Sequence, residues 1–464
     1  MDGRGFSTVE QVRDFFESHT NLAGSAVSLP GVSSARRTYR LDRMRALLER
    51  FGNPQDSFRC VHLAGSKGKG STASYIAAGL RAAGMRTGLY LSPHVSDFRE
   101  RFTVDGSFLP DDVLFEIADG IKSGLEGFCF CAEYGENVPT TFELYTLFAF
   151  LAFRRMRCAW AVIETGLGGR QDATNIIMPE AVVLTPVELE HTDLLGNTIA
   201  EIAAEKSKII KPGVPVFVSR QHPDASAVFE AEACRNNAPI FFLQDMLQEI
   251  ESRTVLREGR AVQQTRITFR DEAVSDLELE MPGEIQVRNC ALALAVLRHL
   301  GLYRHELTEK ALEKNVLPGR MERLDGPVPL YIDGAHTPAS VRSAIGTFRS
   351  LYPGPGPVAL FGCVSGKKHE EICAEILDGF ETIIVTTPGT FKKSDPQALY
   401  DMLRSSATAS GLKRTILLEP VPQRALELAF GSCAVSGAVL CLGSFYLAGE
   451  IKEALCRSTG KKPN

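Results

Sequence analysis

Apolar residues along this chain fall into two rhythms. Leu41, Met44, Leu47, Leu48 and Phe51 recur at helical spacing and predict a helix from Tyr39 to Phe51. Gly52 stops it and Pro54 blocks continuation. Short apolar runs then alternate with helical patterns. Cys60 to Ala64, Thr87 to Leu91, Ala159 to Ile163, Ala181 to Thr185 and Val214 to Val218 read as buried strands. Ser71 to Ala83, Phe142 to Met156 and Ile199 to Ile210 read as helices among them. That alternation predicts a mostly parallel sheet with crossover helices. The first segment, through Arg37, predicts a helix followed by a loose stretch containing Gly31 to Ala35.

Between Glu249 and Leu279 the rhythm changes. Strict alternation, as in Thr265 to Phe269, predicts a small antiparallel hairpin. A helix from Val287 to Leu300 follows. Leu317-Pro-Gly-Arg320 and Gly326-Pro-Val-Pro329 then punctuate the chain as a linker. Beyond it, strands are predicted at Leu330 to Ile332, Val358 to Phe361, Thr382 to Thr386, Thr415 to Leu418 and Ala438 to Leu442, with helices between. The fold class is therefore α/β: a P-loop-type sheet domain over 1–322 with an antiparallel segment, and a smaller Rossmann-like domain over 323–464. The second domain lacks a GxGxxG turn, so dinucleotide binding is not expected there.

Length and composition agree with this division. A chain of 464 residues exceeds one ordinary core. The apolar fraction of 44% and charged fraction of 23% are those of a globular protein. A net charge of -5 provides no basic field, so nucleic acid is not an expected partner. The 11 cysteines include no CxxC pair, which argues against a zinc site or disulfide framework and for reduced thiols. Met1 to Glu17 has no apolar signal-peptide core, and runs such as Leu144 to Phe153 are too short to cross a bilayer. A cytoplasmic monomer with no membrane attachment is the expectation.

The strongest chemical signal is Ala64-Gly-Ser-Lys-Gly-Lys-Gly-Ser71, between a predicted strand and helix. Gly65, Ser66, Lys67, Gly68 and Gly70 let backbone amides turn towards phosphate oxygens, and the helix N-terminus adds a favourable dipole. Lys69 can reach β- and γ-phosphates, and Ser71 can offer a hydroxyl to Mg²⁺. The match to the general pattern is imperfect, because Gly70 separates the lysine from the serine. Glu164 ends a strand and precedes Thr165-Gly-Leu-Gly-Gly169, a place where a carboxylate can hold a metal beside a phosphate loop. His191 follows another strand. Lys206 is a predicted helix residue near Lys208 and Lys211, a pattern that a solvated basic face also produces.

Taken in order, these segments resemble the folylpolyglutamate synthase and dihydrofolate synthase family. The resemblance runs from about Tyr39 to Glu450. It is carried by His62 to Ser71, Ser92-Pro-His94 with Glu100-Arg-Phe102, Thr141-Phe-Glu143, Glu164 to Arg170, His191 with Leu195-Gly196, Glu205-Lys206, Asn289, Pro318-Gly-Arg320, Asp333-Gly-Ala-His336 and Gly443-Ser444. It implies an ATP- and Mg²⁺-dependent ligase that joins L-glutamate to dihydropteroate, a reduced folate, or both. It implies Ser71, Ser92, Glu164 and His191 as Mg²⁺ ligands across two sites, and Lys206 as a carbamylated lysine. Asn289 would meet the adenine end of ATP. Arg320 would reach the phosphates, and Asp333 and His336 would contact ATP from the second domain. Lys69, Lys206, Arg320 and His191 would serve catalysis. Thr141, Phe142 and Glu143, the loop after Ser92, and Gly168, Gly169 and Arg170 would face the acceptor.

The chain departs from the family at Ser66-Lys67, where Thr-Asn is usual, and at Thr337, where Asn is usual. The family's Asp-Lys-Asp segment is replaced by Ser365 to His369. An expected arginine after the strand ending at Thr386 is missing, with Lys392 and Lys393 nearby. These departures leave open a Mur-type ligase acting on a nucleotide-linked peptide, or a nucleotide-binding regulator without ligase activity.

Overall fold

The computed structural model describes residues 5–19, 40–131, 134, 138–354, 356–389, 393–434 and 437–459. Tyr39, the Gly31 to Ala35 stretch and Lys392 lie outside them. The first sheet contains β1 (Arg59–Ala64), β2 (Thr87–Tyr90), β3 (Phe102–Val104), β4 (Trp160–Glu164), β5 (Ala181–Leu184), β6 (Val216–Val218) and β7 (Ile240–Phe242), in the order β3-β2-β4-β1-β5-β6-β7. All neighbours are parallel except the edge strand β3, which runs antiparallel to β2. Both faces are covered, which is why these strands read as continuous apolar runs rather than alternating ones.

One face carries the helices Lys69–Ala82, Glu284–His299 and His305–Glu313, packed through Ile76, Leu80, Leu294 and Leu312. The other face carries Val9–Glu17, Arg40–Arg50, Asp111–Gly124 and the phenylalanine-rich Thr141–Arg155. Reading the sequence missed Asp111–Gly124, Pro223–Arg235 and His305–Glu313. The expected hairpin is instead a three-stranded antiparallel meander: β8 (Leu247–Arg257), β9 (Arg260–Phe269) and β10 (Val274–Leu279). Its alternate residues Ile267, Phe269, Leu277 and Leu279 are buried in the core that surrounds the Glu284–His299 helix.

The second sheet runs β11-β12-β16-β13-β14-β15, with β11 (Glu322–Leu324), β12 (Leu330–Ile332), β13 (Val358–Phe361), β14 (Thr382–Val385), β15 (Thr415–Leu418) and β16 (Val439–Leu442). Only β11 is antiparallel, paired to β12. Because Glu322 already belongs to this sheet, the chain between the sheets narrows to Leu317–Met321. Lys452, on the last helix, pairs with Glu322 at 2.7 Å, and Glu322 accepts the Gly319 N–H. That partly buried clamp ties the linker's exit to the last helix.

Register places the chemistry. Leu63 of β1 lies opposite Glu164 of β4, and Ala64 lies opposite Leu184 of β5. The loops after these three central strands therefore emerge together at one carboxyl edge, the position where ligands bind open α/β sheets.

Candidate active site

The loop after β1 turns on Gly68, which caps the Lys69–Ala82 helix at φ 80°, in the left-handed region. A methyl group there would meet the Asn289 side chain, so Gly68 lets the amide of Asn289 lie against the loop. Asn289 is held by its neighbour Gln286, to which its Nδ2 donates at 3.2 Å. Ser66 is pinned by its N–H to Pro186 O and by its hydroxyl, which accepts from Glu188 N–H at 3.0 Å. Lys69 folds back so that Nζ donates to Gly65 O at 3.1 Å and stands 3.7 Å from Glu164 Oε1.

Gly70, the residue that spoils the general phosphate-loop pattern, lies beside both the acid at the end of β4 and the arginine from the linker. A methyl group there would stand 3.5 Å from Glu164 Oε2 and 3.8 Å from Arg320 Nη2, ordinary contact distances. Glu164 is buried, and Ser92 donates its N–H to Oε2 at 3.0 Å. Burial pushes this carboxyl upward, against the cations Lys69 and Arg320. Ser71 is buried in the same first turn.

Lys206 overturns the solvated-face reading. It is 1% exposed. Its Nζ donates to Gly65 O at 2.8 Å and to Glu190 Oε1 at 3.1 Å. Its neighbours differ: Lys208 pairs with Glu232, and Lys211 donates to Asn175. Burial holds the Lys206 ammonium down at about 8, against the pull of Glu190. Burial pushes Glu190 the opposite way, but Lys206, Lys69 and Lys67 together hold it down at about 2. Next to Glu190, His191 sits in the left-handed region at φ 49° and starts the Thr192–Leu195 turn. Burial lowers its pKa to about 4, so the ring is neutral at physiological pH and able to ligate a metal. Lys67, the departure from the family, is burdened by desolvation and lies in the fields of Glu190 and Glu188.

From the linker, Arg320 stacks over Phe445 of the last helix at 4.2 Å and donates to Gly319 O. Asp333 accepts the N–H groups of Met321 and Ala335 at 2.9 and 2.8 Å, which ties the linker to β12. His336 Nδ1 lies 2.7 Å from Gly334 O, and since a carbonyl only accepts, this nitrogen carries the proton and Nε2 is left as an acceptor. Thr337 caps the Pro338–Leu351 helix and reaches Glu188 Oε2 at 3.5 Å across the cleft. The phosphate loop, Glu164, Arg320 and the Glu190–Lys206 pair thus form one neighbourhood.

Other expected residues are spent differently. Arg170 pairs with Glu205 at 2.8 Å, and Gly169 packs against the carbonyls of Glu205 and Lys206. Gly168, at φ 71°, packs on Leu195. These contacts set the loop after Glu164 against the Lys206 helix and the Thr192–Leu195 turn. Thr141 donates to His19 O at 2.8 Å. The Phe142 ring lies against Gly166, in the loop after Glu164. Glu143 completes the capping box with Thr140 and makes a two-point pair with Arg43 at 3.0 and 3.2 Å, both side chains nearly fully buried. Its carboxylate is thereby engaged by the Arg43 guanidinium and the Thr140 N–H. Arg43 also covers the Phe130 ring at 3.9 Å. In the sequence it was one more cation beside Met44. Arg43→Ala leaves a buried carboxylate uncompensated and is expected to cost about 3–5 kcal/mol of stability, read as a lowered urea midpoint. A stability loss below about 1 kcal/mol would show that the pair is dispensable.

Comparison with known proteins fits this geometry. Residues 63–297 match the Mur ligase middle domain, and residues 319–445 match the Mur ligase glutamate ligase domain. The sheet edge and phosphate loop are thus those of an ATP-dependent Mur-type ligase. The chain is 31% identical over 424 residues to the folylpolyglutamate synthase of Lacticaseibacillus casei, covering 89% of this chain and 94% of that one. It is 30% identical over 421 residues to the dihydrofolate synthase/folylpolyglutamate synthase of Bacillus subtilis, again covering 89% and 94%. Its fold superposes with a TM-score of 0.83 on the Mycobacterium tuberculosis folylpolyglutamate synthase complexed with ADP, at 26% identity and covering 98% and 99% of the two chains. The chain belongs to the folylpolyglutamate synthase/dihydrofolate synthase family of Mur-type ligases.

Proposed function

We propose that this enzyme uses ATP to join L-glutamate to a folate-type carboxylate, dihydropteroate or a reduced folate, through an acyl phosphate. The observation that carries the reading is the convergence of Lys69, Glu164 and Arg320 around Gly70 at the sheet's carboxyl edge. A carboxylate resists attack by an amine because its leaving group is poor. Transfer of the γ-phosphoryl group from ATP to the acceptor carboxylate makes phosphate the leaving group. The α-amine of glutamate then attacks the acyl carbon, and phosphate departs. For this the protein mainly positions reactants and neutralises charge. Lys69, released from Gly65 O, reaches the transferring phosphoryl group from one side, and Arg320 approaches from the linker side. The amides of Gly68 to Ser71 hold the remaining phosphate oxygens.

The donor chemistry fits Mg²⁺. Among the described residues no group of three or more His, Cys, Asp and Glu could hold a metal ion. The available set is the Glu164 carboxylate with the hydroxyls of Ser71 and Ser92, hard oxygens to which nucleotide phosphates would be added, the pattern Mg²⁺ prefers. His191 would serve a second site. Bound there, the ion would neutralise phosphate charge. Glu164→Gln is expected to raise the Mg²⁺ concentration needed for half-maximal rate and to lower kcat by about 10²-fold. An unchanged Mg²⁺ titration would remove Glu164 from the ligand set.

The proposal includes the two-domain division read from the sequence as 1–322 and 323–464, with its boundary moved one residue earlier because Glu322 pairs within the second sheet, and with Asp333 and His336 meeting the nucleotide from the second lobe and Asn289 meeting its base. It also includes a cytoplasmic monomer that works on small molecules, without nucleic acid; no described helix is long and apolar enough to cross a membrane. Mass analysis of products from ATP, glutamate and each acceptor in turn tests the reading. A glutamate adduct of dihydropteroate or tetrahydrofolate supports it. An adduct only of a nucleotide-linked peptide, or ATP binding with no adduct, overturns it.

A further inference from the structure

The last helix, Phe445–Thr459, opens on an aromatic ring that the interior of its own domain does not use. Leu447, Ala448, Ile451 and Leu455 of this helix enter the core of the second sheet, whereas Phe445 is half-buried and belongs to neither apolar cluster there. Ser444 pins the start of the helix by accepting the Tyr446 N–H at 3.1 Å. The ring of Phe445 lies where the linker and the loop after β12 meet this start. The Arg320 guanidinium sits over its face at 4.2 Å, and the His336 ring stands roughly perpendicular to it with centroids 6.0 Å apart. A methyl group on Gly334 would overlap the ring, so the loop from Asp333 to His336 leaves room for it.

What holds Arg320 is otherwise slight. Of its three nitrogens, Nη1 donates to Gly319 O at 3.2 Å. Among the described residues no acid pairs with it directly, and Asp333, Glu164 and Glu100 act on it only through their fields. Two of those acids are already engaged: Asp333 accepts from Met321 and Ala335, and Glu164 accepts from Ser92. Nη2 lies towards Gly70 in the first turn of the phosphate-loop helix. Arg320, Gly70, Ser92 and Glu164 together line a cavity of about 330 Å³. An aromatic face attracts a guanidinium without consuming an N–H donor. A carboxylate in the same place would take two donors and neutralise the charge.

We propose that Phe445 is a positioning residue for phosphoryl transfer: its face holds the Arg320 guanidinium beside the phosphate loop and leaves the arginine's charge and remaining donors unspent. The inference rests on the ligase reading, in which Arg320 acts on the transferring group, and adds the side chain that aims it. Phe445 itself touches no reacting atom. An aliphatic side chain would fill the same space but has no ring face to seat a planar cation, so Arg320 would keep its charge and lose its aim. A misplacement of about 1 Å in a group that stabilises the transition state is enough to slow the step. Because the arginine acts on charge that develops during transfer, the loss falls on kcat rather than on ATP binding.

A double-mutant cycle on the full chain, read as glutamate-adduct formation from ATP, glutamate and a pterin acceptor, tests this. Phe445→Leu keeps apolar bulk and removes the ring face. It is expected to lower kcat about tenfold, with KM for ATP within about twofold of wild type and little change in melting temperature. In an Arg320→Ala background the same substitution should change kcat by less than about twofold, because the group it aims is gone. Phe445→Met, which fills the space more flexibly, takes its place if the leucine variant melts early. Wild-type kcat in both Phe445 variants, an equal loss with and without Arg320, or wild-type kcat in Arg320→Ala would overturn the assignment. A wild-type enzyme that forms adducts under those outcomes leaves the ligase reading standing; one that forms none with any pterin acceptor removes both.

Discussion

Replacing Lys69 with alanine is expected to lower kcat by about 10³-fold or more, with little change in the melting temperature. The magnitude follows from position. Lys69 Nζ rests on Gly65 O and 3.7 Å from Glu164, so it is held at the mouth of the phosphate loop without a direct short ion pair. Its anchoring is one hydrogen bond to a carbonyl, a contact worth about 1 kcal/mol to the fold. Its charge is therefore available to a phosphoryl group at small structural cost. Losing a cation that acts on charge developing in transfer removes transition-state stabilisation rather than ground-state binding, so kcat should fall further than ATP affinity. Lys69→Arg should not restore the rate, because the planar fork cannot occupy the space of a compact ammonium between Gly65 and Glu164. Single-turnover measurement of acyl-phosphate formation checks the step. A variant with kcat within tenfold of wild type would remove Lys69 from phosphoryl transfer.

Much of this site was visible in the sequence because its geometry is local. The strand, glycine-rich turn and helix from Cys60 onward are contiguous, and strand ends mark Glu164 and His191 by position alone. Parallel strands read as unbroken apolar runs, so both sheets were traceable. Residues whose role depends on a partner far along the chain were not. Arg43 is one more cation on an amphipathic helix until Glu143 is folded against it. Arg320 is a linker arginine in the sequence, and only the fold brings it beside Gly70 and Glu164. The meander was underestimated because β10 is short and carries Ser275, Asp276 and Glu278 among its apolar positions. The C-terminal departures at Ser365 to His369 are legible as sequence. Their consequence is electrostatic: the Lys367 charge bears on His336 beside it in the second domain and on Lys67 and His191 of the first.

The second large effect is expected at Lys206. Lys206→Ala removes a buried partner of Glu190 and the ammonium that holds Gly65 O, so stability should fall by about 3 kcal/mol and activity by about 10²-fold. The two losses have different origins. The family resemblance implies that this amine carries a carbamate when the enzyme works, and its surroundings suit that chemistry. Only a neutral amine takes up CO₂, and burial holds Lys206 at about 8 rather than in the ordinary lysine range. The sign is definite. A lowered lysine pKa means that the unfolded chain binds the extra proton more tightly. The cost of burying this ammonium is thus fully present below about pH 8 and fades as pH rises from there towards the ordinary lysine value of 10.5. Carbamylation should rise over the same interval. The added carboxylate would turn a cation into an anion beside Glu190, which favours occupancy by Mg²⁺ near His191 over the present ion pair. Labelled bicarbonate should give a carbamate resonance that Lys206→Ala lacks, and a short carboxylate supplied in solution should restore part of the variant's rate without restoring its stability. Full activity of the wild-type enzyme after rigorous removal of CO₂, with no carbamate signal, would leave Lys206 as a structural ammonium bound to Glu190 and Gly65.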